Sequence, residues 1–310
     1  MISFPDQLAD LVTLVVPAGR GTAALAPLLE SLCRAATVAG YARPPRLVVG
    51  VFESNDADAI GFTAWRAAGG TVTLVTAAAG HATAVRNAAI AAVSSRWIAF
   101  LDDDVVAETD YLSQLEAVCR AGTAPVIQGV PFLCDNAHKV LARLEARNYE
   151  QGFATYHDRA TNTVRVIDAR NLVMTADTAR AFPFDERLLF AGEGQELGRR
   201  LEQAGVRMAY CESLRVRHRN RDTVAGLAIQ KFLHGRGRAQ RVAREEGVWN
   251  HARRSVFRHF VSPVSDAVFG RLAFADMGYR LFTNTMFWGG VTYEALRRPR
   301  DAAPAAGETA

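Results

Sequence analysis

Cysteine is scarce in this chain of 310 residues: Cys33, Cys119, Cys134 and Cys211 stand far apart and form no C-x-x-C pair. That spacing excludes a zinc knuckle and the disulfide framework of a small secreted domain, so a reducing cytoplasm is the expected compartment. The N-terminus, MISFPDQLAD, lacks the basic stretch and apolar run of a signal peptide, and none is expected. Long apolar runs are missing too. The longest uncharged stretch, residues 67–85, is interrupted by Gly69, Gly70, Gly80 and several threonines; it reads as strand and turn and predicts no transmembrane helix. Lysine is confined to Lys139 and Lys231, so almost every cation is an arginine.

What is present points to a globular protein. Close to half of the residues are apolar and 22 % are charged, enough to bury one large core or two small ones. The net charge of +4 hides an asymmetry, because residues 1–198 carry 16 basic and 22 acidic side chains and residues 199–300 carry 20 and 8. Such a basic C-terminal third attracts phosphorylated acceptors or anionic lipid, and peripheral membrane contact is compatible with it. It lacks the interleaved aromatic pattern of a nucleic-acid binder, so no nucleic-acid partner is expected. The wealth of alanine and arginine points to a GC-rich bacterial genome.

The first 130 residues alternate short β-branched runs (11–16, 47–52, 72–75, 97–101) with alanine-rich amphipathic stretches (23–39, 83–93). That rhythm predicts βαβ units, a mostly parallel Rossmann-like central sheet flanked by helices, and ligand binding at the strands' carboxyl ends. Beyond residue 132 the pattern predicts a long helix over 137–153, a strand pair near 164–175, a helix from Glu193 and a strand at 206–210, read as a small second mixed sheet. Residues 221–300 carry helical spacings and read as a basic helical extension, with a disordered tail at 301–310.

The sharpest signal is the apolar run 97–101 leading straight into Asp102, Asp103 and Asp104. Crowded carboxylates repel one another unless something neutralises them. In an extended chain Asp102 and Asp104 face one side and Asp103 the other, so that one pair can serve a cation and a ribose. Hard oxygen ligands of this kind suit Mg²⁺ or Mn²⁺ bridging a diphosphate. The bland alternative is a solvated acidic turn capping the next helix.

Several segments in order then resemble the family 2 glycosyltransferases with the GT-A fold. They are the opening strand ending at Pro17 and Ala18, the segment from Gly80 through Arg86 and Asn87, the acidic triplet as a D-x-D motif, the strand from Ala169 through Arg170 and Asn171, and the run from Phe184 to Gly192, Glu193 and Glu196. The resemblance covers about residues 12–218, with a catalytic domain expected over 1–220. It implies an inverting transfer from a UDP- or GDP-sugar to a small-molecule or glycan acceptor, with a divalent metal as cofactor. By the same resemblance, Pro17, Ala18, Glu53, Gly80, Arg86, Asp102, Asp103, Asp104 and Arg236 bind the nucleotide-sugar. Arg170, Asn171 and Gly192 lie on the acceptor side, and Asp104, Asp102 and His218 hold the metal.

One departure concerns catalysis. The family commonly places an aspartate general base where this chain has Gly194. Glu193 and Glu196, one helical turn apart, can each take the proton that the acceptor hydroxyl loses, with Glu193 favoured by its place in the motif. Both also suit a purely structural role in a first helical turn. Two rival functions are weighed. Residues 17–22, Pro-Ala-Gly-Arg-Gly-Thr, resemble the phosphate loop of sugar nucleotidyltransferases, but the arginine and catalytic lysine that follow in that class are replaced by Ala23-Ala24-Leu25. A catalytically silent nucleotide-sugar-binding protein is the other; the acids Asp102 and Asp104 argue against it.

Overall fold

The structure is a computed structural model and describes residues 7–19, 21–51, 62–77, 81–245, 247–270 and 272–297. Glu53, Gly80 and the expected tail at 301–310 lie outside the described residues. Contacts divide the chain into two units, Met1–Arg187 with Glu193–Asn220, and Leu188–Gly192 with Arg221–Ala310.

Among the described residues the first unit has ten strands: β1 Val12–Ala18, β2 Arg46–Val51, β3 Val72–Thr76, β4 Trp97–Leu101, β5 Val105–Ala107, β6 Val126–Cys134, β7 His157–Asp158, β8 Thr163–Val164, β9 Asn171–Thr175 and β10 Met208–His218. Its helices are α1 Gln7–Leu11, α2 Ala26–Val38, α3 Thr63–Ala67, α4 Ala82–Ala91, α5 Tyr111–Ala121, α6 Val140–Ala154, α7 Ala176–Ala181 and α8 Glu193–Gln203. The period of two along each strand sorts the core into two layers. Val12, Leu14 and Val16 of β1 join Trp97, Ala99 and Leu101 of β4 and helices α2 and α5 on one face. Val15, Ile98 and Phe100 join α4, α7 and α8 on the other. Covering both faces is what a parallel sheet of apolar strands requires.

The strands run in the order β3-β2-β1-β4-β9-β6-β10-β8-β7, with β5 on β10. One sheet therefore replaces the expected core sheet plus small second sheet. Strand β9 inserts antiparallel between β4 and β6 and makes the two continuous. The strand expected at 206–210 is more than twice that length: β10 continues past irregularities between Tyr210 and Arg217, and so delivers His218 to the end of the sheet. Strand order reverses at β1, which pairs in parallel with β2 on one side and β4 on the other. The carboxyl ends of β1 and β4 thus form a topological switch point, where open α/β sheets bind ligands. Pro17 lies beyond the ladder with β4, which stops at Val15↔Phe100, while it still pairs with Gly50 of β2.

The second unit holds α9 Val224–Glu245, α10 Val248–Val268 and α11 Phe274–Arg297. Helices α9 and α11 meet backbone to backbone. A Cβ on Gly235 would lie 1.9 Å from the Phe287 carbonyl oxygen, and one on Gly290 would lie 2.0 Å from that of Phe232. Pro263 sits inside α10 and leaves the His259 carbonyl without its helical donor. Asn284 of α11 donates to that carbonyl from 2.6 Å and repairs the ladder.

Candidate functional site

Arg86, on α4, organises the switch point. It is 3 % exposed; its Nη2 donates to Asp102 Oδ1 at 2.7 Å and its Nη1 to Glu193 Oε1 at 3.3 Å. The Phe184 ring lies 5.5 Å from the guanidinium carbon. Burial would lower the pKa of this group, but the Asp102 and Glu193 carboxylates overcome it and push the pKa up, so the cation is permanent. Its Nε has no hydrogen-bond partner among the described residues. Asn87 clamps the chain that follows: its amide donates to the Phe184 carbonyl and the Glu186 carboxylate, and its oxygen accepts from the Phe184 N–H, each at 2.9 Å.

The acidic triplet does not stay extended. After Leu101 the chain turns at Asp103 and Asp104 before entering β5, so the alternation that would set Asp102 and Asp104 on one side stops there. Asp102 meets Arg86, whereas Asp104 Oδ1 lies 3.1 Å from His218 Nε2. A chain of amides fixes the imidazole. Asn220 donates its Nδ2–H to the Ala142 carbonyl at 3.1 Å, which leaves its Oδ1 to accept from His218 Nδ1–H at 2.7 Å. In the neutral ring Nε2 then carries a lone pair facing a carboxylate oxygen, and only a proton or a metal cation between the two relieves the repulsion. The residues therefore fit a divalent ion at Asp104 and His218. Asp102 departs from the expected set of three ligands, since no group of three or more His, Cys, Asp or Glu converges as a cage among the described residues. Two protein ligands suffice where diphosphate and water oxygens complete the shell.

A second fork lies close by. Asp168 accepts from Arg170 Nε at 2.9 Å, from Arg170 Nη2 at 2.7 Å, from the Arg170 backbone N–H at 2.9 Å and from the Tyr149 hydroxyl. The Arg170 guanidinium also covers the Tyr149 ring at 4.4 Å. Burial would raise the Asp168 pKa, yet the Arg170 charge and these hydrogen bonds hold the carboxyl well below the usual range. Arg170 also feels Asp102. The region thus gathers the carboxylates of Asp102, Asp168 and Glu193 around the guanidiniums of Arg86 and Arg170.

The start of α8 lies directly on the segment 165–168. A Cβ at Gly194 would fall 2.1 Å from the Ile167 carbonyl oxygen, and one at Gly198, a turn later, 2.9 Å from that of Arg165. Gly194 is therefore a packing requirement: the aspartate that the family resemblance leads one to expect has no room here.

Several expected site residues turn out to be engaged elsewhere. Glu196 is buried and gripped by Arg200, whose Nε lies 2.7 Å and 3.0 Å from its two oxygens, so it braces α8 while Glu193 faces Arg86. Asn171 is 0 % exposed; it accepts from the Tyr111 hydroxyl and donates to the Val130 and Leu214 carbonyls, which ties the sheet together and leaves nothing for an acceptor. Arg236 and Gly192 belong to the second unit. There Arg236 donates to Glu294 at 2.8 Å and covers the Phe190 ring at 3.9 Å, so its charge is paired within that unit. Gly192 has φ +96°, a conformation that favours glycine. Asp168, Tyr149 and Asn220 were not singled out from the sequence, and Asn87 was named only within the matching segment, with no role. The first had a signal: Asp168-Ala-Arg170 forms the same tight fork as Asp185-Glu-Arg187, whose Nε donates to Asp185 at 2.8 Å.

The model of the family described as "Glycosyltransferase like family 2" matches residues 9–237. Curated proteins yield no match. Among solved structures, the mannosyltransferase PcManGT from Pyrobaculum calidifontis, in complex with GDP-Man and Mn²⁺, aligns with a TM-score of 0.55 at 14 % identity over 91 % of this chain and 86 % of that one. Glucosyl-3-phosphoglycerate synthase from Mycobacterium tuberculosis, in complex with phosphoglyceric acid, aligns with a TM-score of 0.51 at 15 % identity over 77 % and 81 %. At these identities the structures share the fold, and the mixed α/β architecture with its helical C-terminal region is that of the GT-A proteins. With the family matched over most of its length, the chain belongs to the glycosyltransferase-like family 2.

Proposed function

We propose that this protein transfers a sugar, with inversion, from a UDP- or GDP-sugar to a hydroxyl-bearing acceptor, with a divalent metal as cofactor. The observation that carries the reading is Arg86. One buried guanidinium ties the carboxyl end of β4, at the switch point, to the first turn of α8, so the donor-side acids and a proton acceptor belong to one network. Asp104 and His218 would hold Mn²⁺ or Mg²⁺. When bound, the metal supplies stabilisation for the negative charge that develops on the departing diphosphate. Pro17 and Ala18, at the end of β1, floor the nucleotide site, and Asp102, fixed by Arg86, faces the ribose or diphosphate. Glu193 accepts the proton of the acceptor hydroxyl. Arg170, held in one orientation by Asp168, lies on the acceptor side.

GDP-Man and phosphoglyceric acid, named with the two structural neighbours, are the first donor and acceptor to assay. A thermal-shift screen of nucleotide sugars with and without Mn²⁺ identifies the donor, because ligands that bind the native state raise its melting temperature. Release of nucleoside diphosphate then measures turnover. Asp104→Ala is expected to abolish metal-dependent turnover while the protein stays folded; undiminished turnover at saturating metal would overturn the reading.

A further inference from the structure

Helix α10 leaves an apolar stripe uncovered. Phe257, Val261, Val264 and Val268 recur at i, i+4, i+7 and i+11, the spacing of one helix face. They are exposed by 72 %, 41 %, 42 % and 70 %, and Phe269 and Phe274, on the connection to α11 and at its start, extend the patch at 72 % and 73 %. The helix's inward residues are others: His251, Pro263 and Ala267 are buried. Isolated exposed apolar residues are ordinary, but four in register along a helix of about 31 Å, continued by two phenylalanines beyond its end, mark a surface with a partner.

Charge identifies the partner. Residues 248–280 contain Arg253, Arg254, Arg258, Arg271 and Arg280 against Asp266 and Asp276. Asp276 is buried, and Asp266 accepts from Ser262 at 3.1 Å within the helix. Arg258 is exposed beside Phe257, and two copies of so positive a segment would repel each other, whereas a nucleic acid would engage arginine while leaving the valines in water. An anionic bilayer satisfies both. Its headgroups attract the arginines, and its interface accepts phenylalanine and valine a few ångströms below the phosphates. No helix among the described residues is long and apolar enough to cross a membrane, so the contact would lie in the membrane plane.

We propose that α10, together with Phe269 and Phe274, forms a docking surface for an anionic phospholipid bilayer. This is independent of the transferase reading and survives its failure. The full chain is tested by co-sedimentation with vesicles of phosphatidylcholine alone and of phosphatidylcholine mixed with phosphatidylglycerol, at low and high salt. Pelleting with the mixed vesicles, weakened by salt and absent with the neutral ones, is expected. Arg258→Gln lowers partitioning about fivefold. The combined variant Phe257→Ser, Val261→Ser and Val264→Ser, with Phe269→Ser and Phe274→Ser as a second variant, loses it while the melting temperature is retained. Failure to pellet with either vesicle would overturn the proposal. So would partitioning that both serine variants leave unchanged, or a wild-type dimer that they dissociate.

Discussion

Gly194→Ala isolates the packing at the start of α8 from any catalytic effect. In an open helix the added methyl would stabilise by about 1 kcal/mol, because alanine is the better helix former. At Gly194 the new Cβ would stand 2.1 Å from the Ile167 carbonyl oxygen, where ordinary contact begins near 3.4 Å. The obstacle is backbone, so relief requires α8 and the 165–168 segment to part by about 1 Å. Overpacking of this kind costs about 1–3 kcal/mol. Taking the upper figure, since no flexible side chain can yield, and subtracting the helical gain leaves a net loss of about 2 kcal/mol. That is a fall of roughly 4–8 °C in melting temperature for a unit of this size. Thermal unfolding followed by circular dichroism reads the difference directly. Gly152→Ala, on α6 with nothing within 4 Å of the new methyl, is the control and should gain stability. If Gly194→Ala melts at or above the wild-type temperature, the close approach of α8 to Ile167 is wrong, and with it the reason for the missing aspartate. The same geometry predicts that Gly194→Asp fails to raise turnover.

Three further outcomes follow from the site. Glu193→Gln should reduce turnover by about 10²-fold or more while the protein stays folded, measured by nucleoside diphosphate release; an unchanged rate would remove Glu193 from the chemistry. Arg86→Met strands two carboxylates, each about one quarter exposed, and should cost about 3 kcal/mol, the low end for a broken buried pair; a urea midpoint equal to wild type would contradict the network. The folded-state pKa of Asp168 is depressed, so its stabilisation is fully present above the ordinary carboxylate value of about 3.9 and is lost as pH falls through the folded value. The stability gap between wild type and Asp168→Asn should therefore be widest near neutrality and shrink below about pH 4. A gap that grows on acidification would reverse the sign of the argument.

Much of the framework was legible in the residues, because it depends on periodicity. β-Branched runs alternating with amphipathic stretches specify strands and helices locally, and an apolar run that stops at Asp102 marks a strand's carboxyl end wherever the strand is placed. What periodicity does not carry is register between distant segments. That β9 joins the two halves into one sheet, that β10 runs on to His218, and that 103–104 turns rather than extends all depend on pairings between residues 40 or more positions apart.

The same division holds for the site. Residue types and their order were enough to single out Arg86, Asp102, Asp104, Glu193 and His218, because carboxylates, imidazole and guanidinium have chemistry wherever they lie. Only the tertiary structure decided which of the candidates meet. It joined Arg86 to Asp102 and Glu193, and His218 to Asp104, while it buried Asn171 in the sheet and bound Glu196 to Arg200 and Arg236 to Glu294. It also explained Gly194, whose absence of a side chain reads in one dimension as a lost base and in three as the room that the Ile167 carbonyl requires. Composition fixes what a side chain can do; the packing of elements far apart in the chain fixes what it can reach.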